Sequence, residues 1–548
     1  MEAGSVALVE AIALRRTFGI ISHPDAGKTT MTEKLLLLGG AIQMAGTVKA
    51  RKSGKYATSD WMEIEKQRGI SVTTAVMRFP FEGYDINLLD TPGHNDFSED
   101  TYRTLTAVDA ALMMIDSGKG VEAQTIKLMN VCRMRNTPIV TFMNKMDRDG
   151  LEPFDLLDNL EKVLKLHAIP LTWPIGSGSG FRGVYDLRSK SVWLFDGSAD
   201  GGKGDYVEIQ GATDARLDSI IGKIAADRLR EELDLLEGAG AEFDEAAFLR
   251  GEQTPVFFGS ALSGFGVEEM LRTFVSITPP PKPRACRERV VQPAEEKVTG
   301  FIFKIQANMD PNHRDRIAFF RVCSGHFQRG DKLWNVRLGR EMKIANPITF
   351  MAREREIVED AWAGDIIGVH DTGLIEIGDT FTEGESLHFT GIPCFAPEIF
   401  RRVRLENPLR MKNLKKGLDQ LAQEGAVQLF RPIDSPEFIV GVVGNLQLEV
   451  LKFRLAAEYD VQAQFEMVEL TTARWYRSTD AGAVAEFEQA FRRYVARDVK
   501  ERSVYLAESA CASAMCRSGT RRLSSSRRAT VSRRLSWRWA VACASTIA

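Results

Sequence analysis

Four short segments of this 548-residue chain carry residue types that together could bind and hydrolyse a nucleoside triphosphate. The first is a glycine-containing loop that reads Ser22, His23, Pro24, Asp25, Ala26, Gly27, Lys28, Thr29 and Thr30. A loop of this kind between a strand and a helix points backbone N–H groups at phosphates, Lys28 adds a positive charge, and the Thr29 hydroxyl can ligate Mg²⁺. Ser22 stands where the usual pattern begins with glycine, which requires a negative φ at that serine. The alternative is an ordinary Gly-Lys turn that caps a helix.

The second segment could supply the hydrolytic centre and consists of Asp90, Thr91, Pro92, Gly93 and His94. Asp90 ends a predicted strand and can hold Mg²⁺ through water, while the Gly93 N–H can reach a γ-phosphate. His94 follows at the point where an attacking water has to be oriented, and phosphoryl transfer needs positioning and charge stabilisation more than covalent chemistry. Alone, His94 would be a capping or solvated histidine, but the preceding Asp-Thr-Pro-Gly favours the catalytic interpretation.

The remaining two segments predict which base is bound, and they comprise Asn144, Lys145, Met146, Asp147, Ser260 and Ala261. An ionised Asp147 only accepts hydrogen bonds, so it pairs with the N1–H and amino group of guanine and rejects adenine. Lys145 can lay its aliphatic stem over the base, and Ser260-Ala261 would bring a backbone N–H to guanine O6. We therefore expect GTP or GDP as the ligand, with Mg²⁺ held by Thr29, Ser71 and Asp90.

Ser71 enters this set because it follows a long segment without clear periodicity, residues 39–69. A loop of this length inside a compact domain is usually functional. The Ser71 hydroxyl could ligate Mg²⁺ only while a γ-phosphate is present, which would make the loop an order–disorder switch. An ordinary solvated loop is the alternative.

The elements that position these segments follow from apolar runs that end at polar motif residues. Predicted strands are Thr17–Ser22, Ile86–Asp90, Ala110–Ile115, Pro138–Asn144 and Pro255–Ser260, and predicted helices are Thr29–Leu38, Glu122–Arg135 and Pro153–His167. This alternation predicts a doubly wound α/β domain over residues 1–280, with ligands beyond the carboxyl ends of its strands. Residues 181–252 read as a peripheral insertion.

Two further domains are predicted after the proline-rich linker 279–283. Short β-type runs over residues 281–391 indicate a small antiparallel barrel, with strands near residues 298–306, 317–324, 331–336 and 365–370. Residues 392–509 return to a mixed α+β pattern, with helices near residues 415–425, 444–458 and 484–499 and strands near 437–443 and 461–468. The fold class is therefore α/β: a P-loop GTPase domain, a β-barrel and a third α+β domain.

Composition excludes several classes of protein. No run of eighteen apolar residues exists, so no membrane partner is expected. The cysteines show no CxxC or zinc-type spacing, which indicates thiols in a reducing cytoplasm. The histidines form no cluster, so a metal site built by protein ligands alone is not expected. The net charge of −3 includes eight arginines and no acidic residue over 510–548, which leaves −11 on residues 1–509. An acidic body does not indicate a DNA-binding protein, and we expect a monomer.

The motif residues resemble those of the translational GTPases, and residues 15–149 are especially similar to the bacterial peptide chain release factor 3 family. The Ser-His-Pro-Asp-Ala-Gly-Lys-Thr-Thr loop is quite specific for it, and residues 300–311, 315–325 and 470–475 are also similar. The resemblance covers residues 12–508. It implies a GTPase that acts at the GTPase-activating region of the large ribosomal subunit and promotes dissociation of class I peptide chain release factors.

The same resemblance places the family's roles on Lys28, Thr29, Ser71, Asp90, His94, Asn144, Asp147 and Ser260. Ser71 stands where most translational GTPases have threonine. Elongation factor G is the nearest alternative, and its two further domains are not expected here. A different alternative is a nucleotide-gated ribosome-binding module in which hydrolysis is incidental.

The resemblance ends at residue 509, where the sequence becomes rich in Ala, Ser and Arg. One interpretation of residues 510–548 is a basic RNA-binding tail. The other, which we favour, is a shifted reading frame. Either way we predict a segment without regular packing, because it has no periodic aliphatic pattern and no acidic partner for its arginines.

Overall fold

The computed structural model describes residues 2–42, 64–65, 71–195, 205–240, 242–307, 316–351, 354–393, 395–478, 480–508 and 538–540. Most of the predicted loop 39–69 and nearly all of the segment 510–548 therefore lie outside the described residues. Three structural regions follow one another along the chain, in the order that the sequence predicts.

The first region is a mixed sheet flanked by helices. Its elements are α1 (Glu2–Ala13), β1 (Arg15–Ser22), α2 (Lys28–Leu38), β2 (Ala75–Phe81), β3 (Tyr84–Asp90), α3 (Ser98–Thr104), β4 (Ala110–Asp116), α4 (Ala123–Met134), β5 (Ile139–Asn144), α5 (Pro153–Leu164) and β6 (His167–Pro170). After an insertion, β11 (Gln253–Phe258) and α9 (Val267–Ile277) complete it. The strand order is β2-β3-β1-β4-β5-β11-β6, and only β2 is antiparallel to its neighbour. The central strands are apolar on both faces because helices cover both sides of the sheet.

The register of the parallel strands brings the polar motif residues to one edge of this sheet. Ile20 in β1 pairs with Asp90 at the end of β3, and Asp116 at the end of β4 pairs with Asn144 at the end of β5. Because these strands are parallel, their carboxyl ends lie at the same edge of the sheet, and the loops that follow them meet there.

The insertion between β6 and β11 is an antiparallel sheet with helices of its own. It contains β7 (Thr172–Ile175), β8 (Gly183–Asp186), β9 (Ser191–Leu194), β10 (Asp205–Glu208), α6 (Arg216–Ile221), α7 (Lys223–Ala239) and α8 (Glu245–Leu249). It begins earlier than the sequence predicts, at Thr172, because β7 pairs with β8 rather than continuing the parallel sheet.

The second region is antiparallel throughout. Its strands are β12 (Arg284–Ala285), β13 (Val290–Val291), β14 (Thr299–Ala307), β15 (Arg316–Ser324), β16 (His326–Gln328), β17 (Lys332–Asn335), β18 (Arg340–Lys343), β19 (Ile348–Met351), β20 (Glu354–Ile357), β21 (Asp360–Trp362), β22 (Ile366–His370) and β23 (Thr380–Thr382). Eight of them form one sheet in the order β18-β17-β23-β14-β15-β22-β19-β20. A compact apolar core that includes Phe320, Phe327 and Phe381 holds this region together.

The third region combines an antiparallel sheet with paired helices. Its elements are β24 (Ile399–Leu405), α10 (Met411–Gln423), β25 (Gln428–Pro432), β26 (Phe438–Val442), α11 (Asn445–Tyr459), β27 (Ala463–Met467), β28 (Thr472–Arg477), α12 (Ala481–Ala490), β29 (Val495–Asp498), β30 (Ser503–Ala507) and β31 (Arg538–Ala540). In α10, Leu414, Leu418 and Leu421 recur at helical spacing and face the core. Gly417 lies on the same side, where any larger residue would collide with Leu455 of α11, so the two helices pack closely there.

Buried charges join the first region to the second. The Arg15 guanidinium lies 3.1 Å from Asp365, and the Arg321 guanidinium lies 2.5 Å from Asp109. Asn87 donates to the other carboxylate oxygen of Asp365 at 3.1 Å. Burial alone would raise the pKa of Asp365, but the surrounding arginines outweigh it and the pKa is lowered, so the carboxylate stays ionised.

Two predicted helices end earlier than expected. The helix Pro153–His167 stops at Leu164 because Lys165 takes a left-handed conformation, with φ 51°, and His167 begins the strand β6. The helix predicted for residues 484–499 ends at Ala490, since Val495–Asp498 forms β29 between β25 and β30. Aromatic and β-branched residues are compatible with the spacing of a helix and with that of a strand. Here pairing with the neighbouring strands of the sheet decides the outcome.

The prediction for residues 510–548 lies mostly outside the described residues. The exception is Arg538–Ala540, which forms a short strand, β31, against β28. Residues 538–540 therefore do pair with the body, contrary to the expectation for that short stretch.

Candidate active site

The loop after β1 forms a cradle at the start of α2. Gly27 precedes the helix with φ 96°, and Asp25 has φ 65°, whereas Ser22 is not among the residues with positive φ. The two unusual conformations therefore fall on positions 25 and 27, and Ser22 replaces a glycine without strain. The first N–H groups of α2, from Lys28 onward, have no intrahelical acceptor and point into the cradle, where they suit a phosphate.

Asn144 locks this loop to the loop after β11. Its amide nitrogen donates to the Ala26 carbonyl at 2.7 Å, and its amide oxygen accepts from the Ala261 N–H at 2.8 Å. A side chain at Gly27 would overlap the Asn144 amide, so glycine is needed there for space as well as for its φ. Asn144 is thus a structural bridge between the phosphate loop and the Ser260-Ala261 turn.

Lys145 makes a second bridge across the site. Its ammonium donates at 2.6 Å both to the Asp25 carbonyl and to the Asp116 carboxylate. Its backbone is left-handed, with φ 69°, a conformation that costs a side-chain-bearing residue about 1 kcal/mol. The two hydrogen bonds hold the side chain in place despite this strain, and contact of its aliphatic stem with a base stays a prediction.

The residues predicted to hold Mg²⁺ converge. The Lys28 ammonium lies 3.6 Å from an Asp90 carboxylate oxygen, and the Thr29 and Ser71 hydroxyl oxygens are 3.4 Å apart. Asp90 is buried, and within the described residues neither of its carboxylate oxygens has a hydrogen-bond partner. Carboxylate and hydroxyl oxygens are the donors that Mg²⁺ prefers, so the residue types at positions 29, 71 and 90 suit the ion. The side chains present therefore fit the ion.

The base-recognition segment also presents an unfilled acceptor. One carboxylate oxygen of Asp147 is buried and, among the described residues, has no hydrogen-bond partner; the same is true of the Ser260 hydroxyl. A buried polar atom without a partner costs about 1–3 kcal/mol, so it is expected where a ligand completes it. Guanine offers two N–H donors to such a carboxylate.

His94 lies next to the cradle at the start of a short 3₁₀ helix, Asn95–Phe97. Gly93 approaches the phosphate loop so closely that a Cβ there would be 3.5 Å from the Pro24 backbone. The His94 side chain is 40% exposed, and its Nδ1 accepts from the Asp96 N–H at 3.2 Å. Water can therefore reach the ring on the side that does not contact the protein.

Other predicted residues have structural roles in this arrangement. The Thr91 hydroxyl donates to the Ile20 carbonyl at 2.7 Å, and Thr101 donates to the Pro92 carbonyl at 3.1 Å, so this turn is fastened on both sides. Met146 is buried in the core and its N–H donates to the Gly259 carbonyl at 3.1 Å. His23 lies 3.1 Å from Glu122, at the rim of the site. Contact of any of these residues with nucleotide stays a prediction.

Two residues of the site were not identified from the sequence. Asp116 pairs with Lys145 and ends a buried strand, which is the same signal that identified Asp90 and Asn144. Asp96 contacts His94, and its carboxylate also accepts the Leu446 N–H of α11 at 2.8 Å. The Asp96 contact joins residues 350 positions apart, so no local pattern could have indicated it.

Two features are absent from the part of the chain that the structure describes. No group of three or more His, Cys, Asp or Glu side chains in that part could hold a metal ion by itself. None of its helices is long and apolar enough to cross a membrane.

Comparisons with known proteins match three consecutive parts of the chain. Residues 14–280 match the elongation factor Tu GTP binding domain, residues 297–384 match elongation factor G domain 2, and residues 389–517 match the class II release factor RF3, C-terminal domain. A crystal structure of a protein from Thermus thermophilus is similar in fold, with a TM-score of 0.68 and 23% identity. That match covers 86% of this chain and 71% of the other.

Proposed function

We propose that this chain, which belongs to the RF3-like translational GTPases, hydrolyses GTP to GDP and phosphate on the ribosome and uses that reaction to dissociate class I release factors after peptide release. The observations that support the proposal are the contacts of Lys28 with Asp90 and of Thr29 with Ser71 at the phosphate cradle, and the approach of Gly93, which precedes His94, to the backbone of the same loop. The partner site on the ribosome is the GTPase-activating region of the large subunit, and the compartment is the cytoplasm.

Each group has a task that its position supports. The α2 N-terminus and Lys28 hold the β- and γ-phosphates, and Asp147 together with the Ser260-Ala261 turn selects guanine. Mg²⁺, when bound by Thr29, Ser71 and Asp90, supplies charge neutralisation at the phosphates. His94 orients the attacking water from the partly exposed side of its ring. Because an acceptor or donor at the right distance suffices for this step, no covalent intermediate is needed.

One observation favours a second role for the nucleotide. Phe97, which follows His94, packs in a small apolar cluster with Val72, Ile64 and Val450 of α11. The two segments that we predict to flank the γ-phosphate thus both contact α11 of the third region. Nucleotide state would therefore set the ribosome affinity of the chain, and hydrolysis would serve to reset it.

The test is nucleotide turnover with purified chain, with and without ribosomes that carry a class I release factor. We expect slow GTP hydrolysis alone, strong stimulation by ribosomes and no turnover of ATP. Absence of ribosome stimulation would refute the enzymatic proposal. Release-factor dissociation is then compared with GTP and with a non-hydrolysable analogue. Equal dissociation with both would favour nucleotide-gated binding without a need for hydrolysis.

A further inference from the structure

A single carboxylate, that of Asp96, contacts both the predicted catalytic histidine and the third region. One of its oxygens accepts the N–H of Leu446, in the first turn of α11, at 2.8 Å. The other oxygen lies 3.3 Å from Nδ1 of His94. An anionic side chain is stabilised at a helix N-terminus by the unpaired N–H groups and the helix dipole, so this contact is electrostatically favourable.

Gly444 makes room for the contact. It directly precedes α11 in an extended conformation, with φ −141° and ψ 163°, which any residue can adopt. A methyl group at this position would nevertheless overlap the Asp96 carboxylate. The absence of a side chain at position 444 is therefore required by Asp96 and not by the backbone.

The His94 ring has two competing neighbours on the same nitrogen. The Asp96 N–H donates to Nδ1 at 3.2 Å, which needs a lone pair on Nδ1. The Asp96 carboxylate, 3.3 Å away, is instead satisfied by a proton on Nδ1. Both cannot be satisfied at once, because Nδ1 carries either a lone pair or a proton. A carboxylate held at Nδ1 favours the ring form with a proton on Nδ1, which leaves a lone pair on Nε2 to accept from water, and a carboxylate that turns away favours the opposite form.

The packing around this contact carries any displacement of α11 to the histidine. Phe97 is buried against Val450, and Leu446 and Phe453 of α11 complete the same apolar cluster. The turn that holds His94 and Asp96 thus lies on the helix that supplies the Leu446 donor. A shift of α11 relative to the first region would move the donor and leave the carboxylate free to turn.

We propose that Asp96 is a positioning residue for His94, and that α11 of the third region sets the ring by holding the Asp96 carboxylate. The proposal rests on the proposed function, because it assigns a control to the same hydrolytic step. In this arrangement the third region licenses hydrolysis.

The first test adds one methyl group in the third region, outside the nucleotide site. Gly444→Ala should lower kcat for ribosome-stimulated GTP hydrolysis about 10-fold, within the range of about 10- to 100-fold seen when an orienting partner is lost. KM for GTP and GDP affinity should not change. Gly238→Ala is the matched control, because a Cβ at Gly238 in α7 meets nothing within 4 Å. Unchanged kcat in Gly444→Ala would overturn the proposal.

The second test asks whether Gly444 acts through Asp96. With Asp96→Ala the carboxylate is gone, so adding Gly444→Ala should cause no further loss of kcat. If the two losses multiply in the double variant, Gly444 acts elsewhere and the proposal fails. Thermal unfolding of each variant identifies a loss of kcat that comes from misfolding. The proposed function fails separately, if the unmodified chain shows no ribosome-stimulated turnover.

A third variant keeps the shape of the side chain and reverses its polarity. In Asp96→Asn the amide oxygen can still accept from Leu446 while the amide nitrogen faces Nδ1 as a donor. The ring is then forced into the form with a lone pair on Nδ1. We expect a fall in kcat comparable to that of Asp96→Ala, with KM for GTP unchanged. Wild-type turnover in Asp96→Asn would refute control of the ring by this carboxylate.

Discussion

The nucleotide site and the junction of the three regions both bury charged groups but differ in how far hydrogen bonds satisfy them. In the site, one oxygen of Asp147 and both oxygens of Asp90 have no hydrogen-bond partner among the described residues, although the Lys28 ammonium lies 3.6 Å from Asp90. At the junction, Lys304 lies 3.1 Å from Asp100 and donates to the Thr74 carbonyl at 2.7 Å, and Arg454 lies 2.7 Å from Glu424. The site thus keeps carboxylate oxygens without hydrogen bonds, whereas the two ion pairs of the junction are also hydrogen-bonded.

The pKa directions at the junction support this contrast. Burial raises the pKa of Asp100, but Lys304 and Arg103 outweigh burial, and the pKa is lowered overall. Burial raises the pKa of Glu424 more than Arg454 can lower it, so Glu424 depends on its partner to stay ionised. A buried charge is tolerated in a folded chain when a partner is permanent, and it becomes functional when the partner is a ligand.

The largest expected effect comes from the site. His94→Ala should lower ribosome-stimulated GTP turnover by about 10²- to 10⁴-fold, the usual size of a lost proton-transfer or water-orienting group. GTP affinity should remain, because the ring holds no phosphate. His167→Ala, at an exposed strand start, is the control. Unchanged turnover in His94→Ala would show that His94 does not take part in hydrolysis. Weaker GTP binding would show that the ring contacts the phosphates.

At the junction, Arg454→Met should cost about 3–5 kcal/mol of stability, because it leaves Glu424 buried without its partner. Burial raises the pKa of Glu424, so the protonated and uncharged form persists to higher pH, and this form can stay buried without a charged partner. The loss of unfolding free energy in Arg454→Met should therefore be smallest near pH 4.5 and should grow as the pH rises and the Glu424 carboxyl ionises. Thermal unfolding across pH measures this, against Arg250→Met at an exposed ion pair. A deficit equal to that of the control would show that the junction does not need its pairing.

Asp147→Asn should shift base preference from GTP toward XTP by about 10- to 100-fold, or about 1–3 kcal/mol. Xanthine presents a carbonyl where guanine has its amino group, and the new amide can donate to it. Competition between GTP and XTP for binding measures the shift, with Asp158→Asn on the exposed face of α5 as control. A variant that still prefers GTP would place the base elsewhere.

The smallest expected effect lies outside both the nucleotide site and the junction, on the exposed turn before α10. We predict a ribosomal contact for residues 401–416 because this segment is rich in arginine and lysine. Within it, however, Arg402 pairs with Glu437 at 2.9 Å and Arg404 pairs with Glu466 at 2.9 Å. Arg410 is also paired, with Asp460 at 2.5 Å, whereas Lys412 is exposed, as is Leu409, at 90%.

Charge reversal at Arg410 and Lys412 should therefore weaken ribosome binding a few-fold, and less at high salt. Lys162→Glu with Lys223→Glu is the control, because both lysines are exposed in the first region and its insertion. Equal affinity at every salt concentration would refute the contact.

The sequence predicted the first region closely because its signals are local. The strands β1, β3, β4 and β5 are apolar runs that end at polar residues, and the register pairs Asp90 with Ile20 and Asp116 with Asn144. The sequence did not predict that Asn144 would bridge two loops, or that Asp96 would reach α11, because both contacts join segments more than 100 residues apart. The error over residues 484–499 has the same origin, since sheet pairing with β25 replaced a locally plausible helix.

The ion pair between Arg15 and Asp365 has a consequence for folding during synthesis of the chain. Its two members are 350 residues apart. At about 5–20 residues per second, Arg15 waits about 18 to 70 s after its own synthesis before Asp365 exists. During that interval Arg15 can pair with Asp85, which lies 3.2 Å away in the finished fold, but the surface that the second region will cover stays open to water. The nascent first region is thus the stretch on which chaperones have the most time to act.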